Sequence, residues 1–193
     1  MTRKIMIMVS GTALALAGCG KHDQANDNYA AGNAADVNVA ATNEAAAASP
    51  LSAQGFVNTA AASDKFEIET SKLAATAASS AAVKKFATQM IAAHTASTAK
   101  LKATLSGMSP AVTPDDTLTA DQQATLDNLK TLNGTAFDSA YASAQVNAHQ
   151  ATLDALKSYS ASGDTPQLKT FADGLIPTVT AHLNLAKGLH PPA

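Results

Sequence analysis

From Ser52 onward, apolar residues recur at spacings of three and four, the period of helices that turn one face to a core. The first such segment reaches about Ala78, with Phe56, Ala60, Ser63, Glu67, Ser71 and Ala74 on one stripe. Ser79 and Ser80 supply turn and cap chemistry, and a second segment then runs to about Ser106 with Val83, Phe86, Ala87, Met90, His94, Leu101 and Leu105 on its face. Gly107, Pro110 and Pro114 end it. A crossover follows, in which Thr119 and Gln122 form a capping box for a short helix that Asn133-Gly134 stops. The third long segment extends from Thr135 to about Ser162-Gly163 on a stripe of Phe137, Tyr141, Ala144, Ala148, Leu153 and Leu156. Asp164 or Thr165 caps the fourth, which has Pro166 in its first turn and carries Leu168, Phe171, Leu175, Val179, His182 and Leu185. Pro177 is expected to kink it, because proline lacks the N–H that a helix interior needs.

No part of this region alternates with the period of a strand. Two tight hairpins joined by a long crossover predict an all-α fold, a ferritin-like four-helix bundle with a short extra helix in the crossover. The predicted domain spans residues 53–190, a size suited to a single core. Alanine, the strongest helix former, supplies much of its apolar content, and its small side chain lets helices approach closely.

The N-terminus has a different pattern. Arg3 and Lys4 precede an apolar run from Ile5 to Ala17 that is short for a permanent membrane span, as in a secretory signal. The run ends in Leu16-Ala17-Gly18-Cys19, which resembles the lipobox of bacterial lipoproteins. Residues 1–18 are thus expected to be the signal peptide and Cys19 to be lipidated, anchoring the mature chain to a membrane. Gly20 stands where an aspartate would resemble an inner-membrane retention signal, so outer-membrane attachment facing the periplasm is expected. Residues 19–52 comprise the lipidated cysteine and a tether of alanine, asparagine and aspartate that cannot bury a core. About thirty flexible residues have a root-mean-square reach of roughly 30 Å.

Composition narrows the chemistry. Cys19 is the only cysteine, so once lipidated it leaves the domain without a disulfide, a thiolate metal site or a cysteine nucleophile. The formal net charge of −2, with no basic cluster, gives nucleic acid no electrostatic footing. There is no tryptophan and no phosphate-cradling glycine loop, and no serine sits in a Gly-x-Ser-x-Gly elbow.

What remains is one glutamate and three histidines distributed over four helices. Glu67 lies about twelve residues before the first hairpin turn and His94 about fifteen after it, which places both roughly 18–22 Å from that turn. The same counting puts His149 and His182 roughly 20–26 Å from the second turn. All four fall near mid-height. His94 and His182 share the apolar stripe of their helices, whereas His149 lies at the edge of its own. If their heads converge they suit a divalent transition metal, by the ligand preferences of imidazole and carboxylate. The alternative is a buried polar layer in which they satisfy one another and set helix register. A di-iron oxidase is disfavoured, because the Glu-x-x-His motifs it needs are absent. Asp138 is expected to favour the N-terminus of the third long helix, and Tyr141 to be a core aromatic whose hydroxyl finds a partner.

Phe56, Ala60 and Glu67, Phe86-Ala87, Met90 and His94, Gly134 with Phe137-Asp138 and Tyr141, His149, and Pro177 with His182-Leu183 together resemble the bacterial domain of unknown function 4142 family of predicted outer-membrane proteins. The resemblance spans about Gly55 to Leu189 and implies a ferritin-like helical bundle without implying an activity. One departure is Ala93, where members of that family commonly carry an aspartate immediately before the histidine. The resulting expectation is an envelope-anchored lipoprotein, more a non-enzymatic structural or protein-interaction domain than an enzyme, with an envelope protein as partner. The alternative is a metal-binding or sequestering protein that uses Glu67, His94, His149 and His182.

Overall fold

The computed structural model describes residues 51–189. The signal segment, Cys19 and all but the last two residues of the tether lie outside the described residues, as do His22 and His190. Five helices follow one another: α1 (Ala53–Ala77), α2 (Ala81–Leu105), α3 (Ala120–Lys130), α4 (Gly134–Ser162) and α5 (Pro166–Lys187). Among the described residues there is no strand, only an isolated bridge between Ala78 and Gly134. No helix among them is long and apolar enough to cross a membrane. The fold is all-α.

Local chemistry sets the helix ends. The Ser52 hydroxyl accepts from Gly55 N at 3.2 Å and that of Ser80 from Val83 N at 3.4 Å. At α3 the Thr119 hydroxyl accepts from Gln122 N while the Gln122 side chain accepts from Thr119 N, so two orphan donors of the first turn are satisfied reciprocally. Gly134 enters α4 with φ +62, a left-handed conformation that favours glycine.

Two details depart from the sequence-based expectations. Asp138 does not serve its own helix. It reaches across to the first hairpin turn, where its carboxylate accepts from the backbone N–H groups of Ser79 (3.2 Å) and Ser80 (2.9 Å) and from the Ser79 hydroxyl. Asp164 likewise serves another helix, accepting from Ala53 N at the start of α1 and from the Tyr159 hydroxyl, while Thr165 is the cap residue of α5 without a side-chain cap bond. Pro177, where a kink is expected, lies inside α5, which extends to Lys187.

α1 packs against α2 and α4, and α5 packs against α4 and α2, so α2 and α4 lie diagonally opposite. The Ala78–Gly134 bridge places the start of α4 beside the end of α1, and the Ala53–Asp164 hydrogen bond places the second hairpin turn beside the start of α1. The crossover therefore runs the length of the bundle, and α2 and α4 point the same way. α3 lies along this path against α1 and α4.

The core is divided by height. At the second-turn end, Phe56 stacks on Tyr159 with ring centroids 4.0 Å apart, among Leu101, Leu156, Leu168 and Phe171. At the first-turn end, Phe137 stacks on Tyr141 among Val83, Phe86, Met90 and Leu129. Between the two clusters lie the buried polar residues, Ser63, Asp64, Glu67, Thr70, Ser71, His94, Gln145 and His149, with the half-buried His182 of α5 beside them. Burying eight polar side chains in one layer is costly unless each finds a partner.

Candidate metal centre

Four helices supply this layer, and its histidines meet. His94 of α2, His149 of α4 and His182 of α5 each offer one ring nitrogen, and these three atoms lie within 4.8 Å of one another. The ring centroids are 5.6 Å (His94–His149), 6.0 Å (His94–His182) and 5.5 Å (His149–His182) apart. His94 and His149 are buried; His182 is half-buried.

The remaining nitrogens explain how the rings are held. His94 Nδ1 is 2.8 Å from Asp64 Oδ1, and the second Asp64 oxygen accepts from the Thr98 hydroxyl at 3.0 Å. His149 Nδ1 donates to the Gln145 carbonyl oxygen at 2.8 Å, which leaves Nε2 as the ring's lone-pair nitrogen. The buried nitrogens without a hydrogen-bond partner are then Nε2 of His94, Nε2 of His149 and Nδ1 of His182. An imidazole oriented through one nitrogen, with the other left free, is the arrangement of a metal-ligating histidine.

Glu67 sits beside this group rather than in it. Its Oε1 is 3.5 Å from His149 Nδ1, on the side of the ring that bonds Gln145, and the carboxylate is not among the three converging donors. Both oxygens are buried without a hydrogen-bond partner. Gln145 donates instead to the Thr70 hydroxyl, at 3.3 Å. Tyr141 finds the partner its position called for, the Ser71 hydroxyl at 2.7 Å.

Burial dominates the electrostatics of the layer. It pushes the Glu67 carboxyl up to about 7, against the opposing pull of His94. It pushes His149 and His182 down to about 4, with the nearby His94 charge acting in the same direction. Burial also acts to lower His94, yet the Asp64 hydrogen bond and the Glu67 and Asp64 carboxylates outweigh it and raise this histidine above its ordinary value. At neutral pH, His149 and His182 are therefore lone-pair donors already, while His94 keeps its proton to higher pH than an ordinary imidazole.

Asp64 is the residue that the pattern of apolar stripes did not single out. A signal for it exists: Asp64 and His94 are each fifteen residues from Ser79, so two antiparallel helices joined there set them level.

A family model described as Domain of unknown function (DUF4142) matches residues 37–189. The chain belongs to this family. The DUF4142 match covers all five helices and every residue of the polar layer. None of the curated proteins matches the sequence significantly. A solved structure described as "CopM in the Cu(II)-bound form" is similar to 70% of this chain and covers 93% of its own, with a TM-score of 0.59 at 17% identity. At that identity the likeness is one of fold, and it supports the helical-bundle architecture of this DUF4142 domain.

Proposed function

We propose that this domain binds a divalent transition metal ion through His94, His149 and His182, and that lipid on Cys19 holds it at the outer membrane facing the periplasm. The observation that carries the metal reading is the convergence of three imidazoles, each with a buried nitrogen that has no other partner and two of them, His94 and His149, held by a hydrogen bond through the other nitrogen. In a tetrahedral site with bonds of about 2.0–2.1 Å, ligand nitrogens stand about 3.4 Å apart. The spacing of up to 4.8 Å thus needs a closure of roughly 1.4 Å at most, within the reach of small rotations about side-chain bonds. An all-nitrogen set suits copper, zinc, nickel or iron and disfavours magnesium and calcium, and the general affinity order puts Cu(II) first. The Cu(II)-bound state of CopM, which shares the fold, supports copper among these.

Each residue would have a definite task. Asp64 holds His94 in one tautomer, the Gln145 carbonyl does the same for His149, and Glu67 supplies negative charge next to the ligand set without joining it. With the metal bound, the three buried histidine nitrogens that lack a hydrogen-bond partner are satisfied by ligation. Cys19, its signal segment and the tether support envelope anchoring by sequence alone. A structural or partner-binding role remains the second reading, favoured by the hydrogen bonds of Asp64, Ser71 and Tyr141, which hold the layer together without an ion.

The test is elemental analysis of the full chain carrying Cys19→Ser, after exposure to first-row divalent metals and dialysis, beside the same chain with His94→Ala. One equivalent of metal that is lost with His94→Ala supports the site. A folded wild-type chain that retains no metal refutes it and favours the structural reading.

A further inference from the structure

The histidine group is not sealed. A cleft with a water-accessible volume of about 40 Å³ reaches it from the surface, and His94 and His182 form part of its wall whereas His149 does not. That volume exceeds the roughly 10–15 Å³ of probe-occupied space one water requires. The half-buried member of the group, His182, is thus on the side where solvent enters. Around His94 and His182 the wall is largely apolar, with Ala93, Leu156, Leu175 and Val179, and its polar members are the hydroxyls of Ser63, Ser97, Thr152 and Thr178 and the Asp64 carboxylate. The Ser63 and Thr152 hydroxyls are 2.8 Å apart and hydrogen-bonded to each other.

Three protein nitrogens leave a tetrahedral ion one position short, and the two neighbouring carboxylates, Asp64 and Glu67, are outside the converging set, facing Nδ1 of His94 and Nδ1 of His149. Structural sites close all four positions with protein ligands, while three protein ligands beside an accessible cavity leave the fourth to a group from solvent. We infer that the fourth coordination position of the ion opens into this cleft and accepts a small monodentate anion from solvent, with the cleft hydroxyls as its hydrogen-bond donors. This rests on the metal reading above. It adds that the centre exchanges ligands, so the ion is reachable for transfer or small-anion binding and not locked in as a structural pin. The size of the cleft limits the ligand to a few atoms. Its hydroxyls donate without carrying charge and the Asp64 carboxylate, bonded to His94 and Thr98, opposes an anion, so the attraction for an anion comes from the ion itself.

Azide is a suitable probe, since its bond to Cu(II) produces a ligand-to-metal charge-transfer band. The full chain carrying Cys19→Ser is loaded with one equivalent of Cu(II), loading is verified by elemental analysis, and azide is titrated while absorption and the electron paramagnetic resonance spectrum are recorded. A saturable band is expected, with the spectrum shifting in parallel. Ala93→Phe, which places a ring in the cleft, should retain the copper and raise the apparent azide Kd at least tenfold. Ser97→Leu narrows the same cleft from the next turn of α2 and should act in the same direction if Ala93→Phe fails to fold.

Failure to load copper refutes the metal reading and is seen before azide is added. A loaded chain without an azide band overturns the inference alone, and a band appearing only in Glu67→Gln would identify the Glu67 carboxylate as the fourth ligand. Tight azide binding that neither cleft substitution weakens would place the open position elsewhere and overturn it too.

Discussion

Replacing Asp64 by asparagine separates two effects that the Asp64–His94 contact exerts on the metal site. The asparagine side chain has nearly the same shape and its carbonyl oxygen can still accept from His94 Nδ1, so what is removed is chiefly the charge. In the native chain the carboxylate, 2.8 Å from Nδ1, is the strongest influence opposing the effect of burial on this histidine. Without it, burial prevails and the His94 pKa falls. Proton competition for His94 therefore extends to higher pH in the native chain than in Asp64→Asn. Where proton competition is small, at pH 8, the loss of a carboxylate behind a ligating imidazole should weaken binding about 10- to 100-fold, or about 1.4–2.7 kcal/mol.

The assay is competition for Zn(II) or Cu(II) against a chromophoric chelator between pH 6 and 8, with the Cys19→Ser background in both chains. The native affinity should rise about tenfold per pH unit below the His94 pKa, and the variant's should rise less, because one fewer proton is displaced. The two curves therefore converge towards acid pH. Metal-free stability should follow the opposite course. A histidine raised in the folded state contributes stability that is fully present below its unfolded pKa of about 6.5 and is lost as pH rises through its folded pKa. Asp64→Asn should therefore cost about 1.5–3 kcal/mol at pH 6, the range for a hydrogen bond to a charged group, and less at pH 8. Parallel affinity curves with equal pH slopes would refute the role given to Asp64.

Three other predictions follow from the same geometry. Because His149 is held down at about 4, its contribution to stability is present above about pH 6.5 and lost as pH falls through 4, a change of about 3 kcal/mol at 1.36 kcal/mol per unit. Denaturant melts of the metal-free chain should show this loss, with Glu67→Gln making it steeper, since a carboxyl raised to about 7 stabilises in the acid direction. Asp138→Ala should lower stability by about 1–2 kcal/mol through loss of its bonds to the first turn, and leave metal affinity unchanged. Tyr141→Phe should cost about 1–3 kcal/mol because it leaves the buried Ser71 hydroxyl without its partner, and adding Ser71→Ala should restore part of that loss in thermal melts.

The architecture was legible because it depends on periodicity and punctuation, both local. Ser52, Ser80, Thr119, Gly134 and Pro166 mark helix starts within one or two residues, and the long stretch after Gly107 makes the crossover evident. The height of the histidines was also legible, since residue counts from a tight turn convert to distance. Rotation was less so. His149 lies at the edge of an apolar stripe by spacing, yet it is fully buried, because α4 touches both α1 and α5 and buries a wider arc than one neighbour would. Asp138 and Asp164 each serve a helix other than their own, and such contacts depend on which ends meet in three dimensions. Glu67 and Asp64 are one helical turn apart on the same face, and choosing which of them reaches His94 needs the relative stagger of α1 and α2.

The charge of the layer gives the two carboxylates a common purpose. In the metal-free domain His94, which keeps its proton to higher pH than an ordinary imidazole, faces the Asp64 carboxylate, and the Glu67 carboxyl is raised to about 7. A divalent ion brings two positive charges into the same buried space. Those are offset if His94 gives up its proton and Glu67 completes its ionisation, leaving two carboxylates against one ion. With the bound layer close to neutrality, the desolvation cost that isolated buried charges incur is avoided. Metal uptake at pH 7 should therefore release protons from both groups, and the number should fall as pH rises and both groups begin deprotonated. Calorimetric titration with Zn(II), repeated in buffers of different ionisation enthalpy, counts them. Glu67→Gln should reduce the count by about one half at pH 7, and Asp64→Asn should reduce it further by freeing His94 of its proton beforehand. A count near zero at pH 7 in the native chain would mean that the ion enters a site already deprotonated, and the balance between Asp64, Glu67 and the histidines would then lie elsewhere.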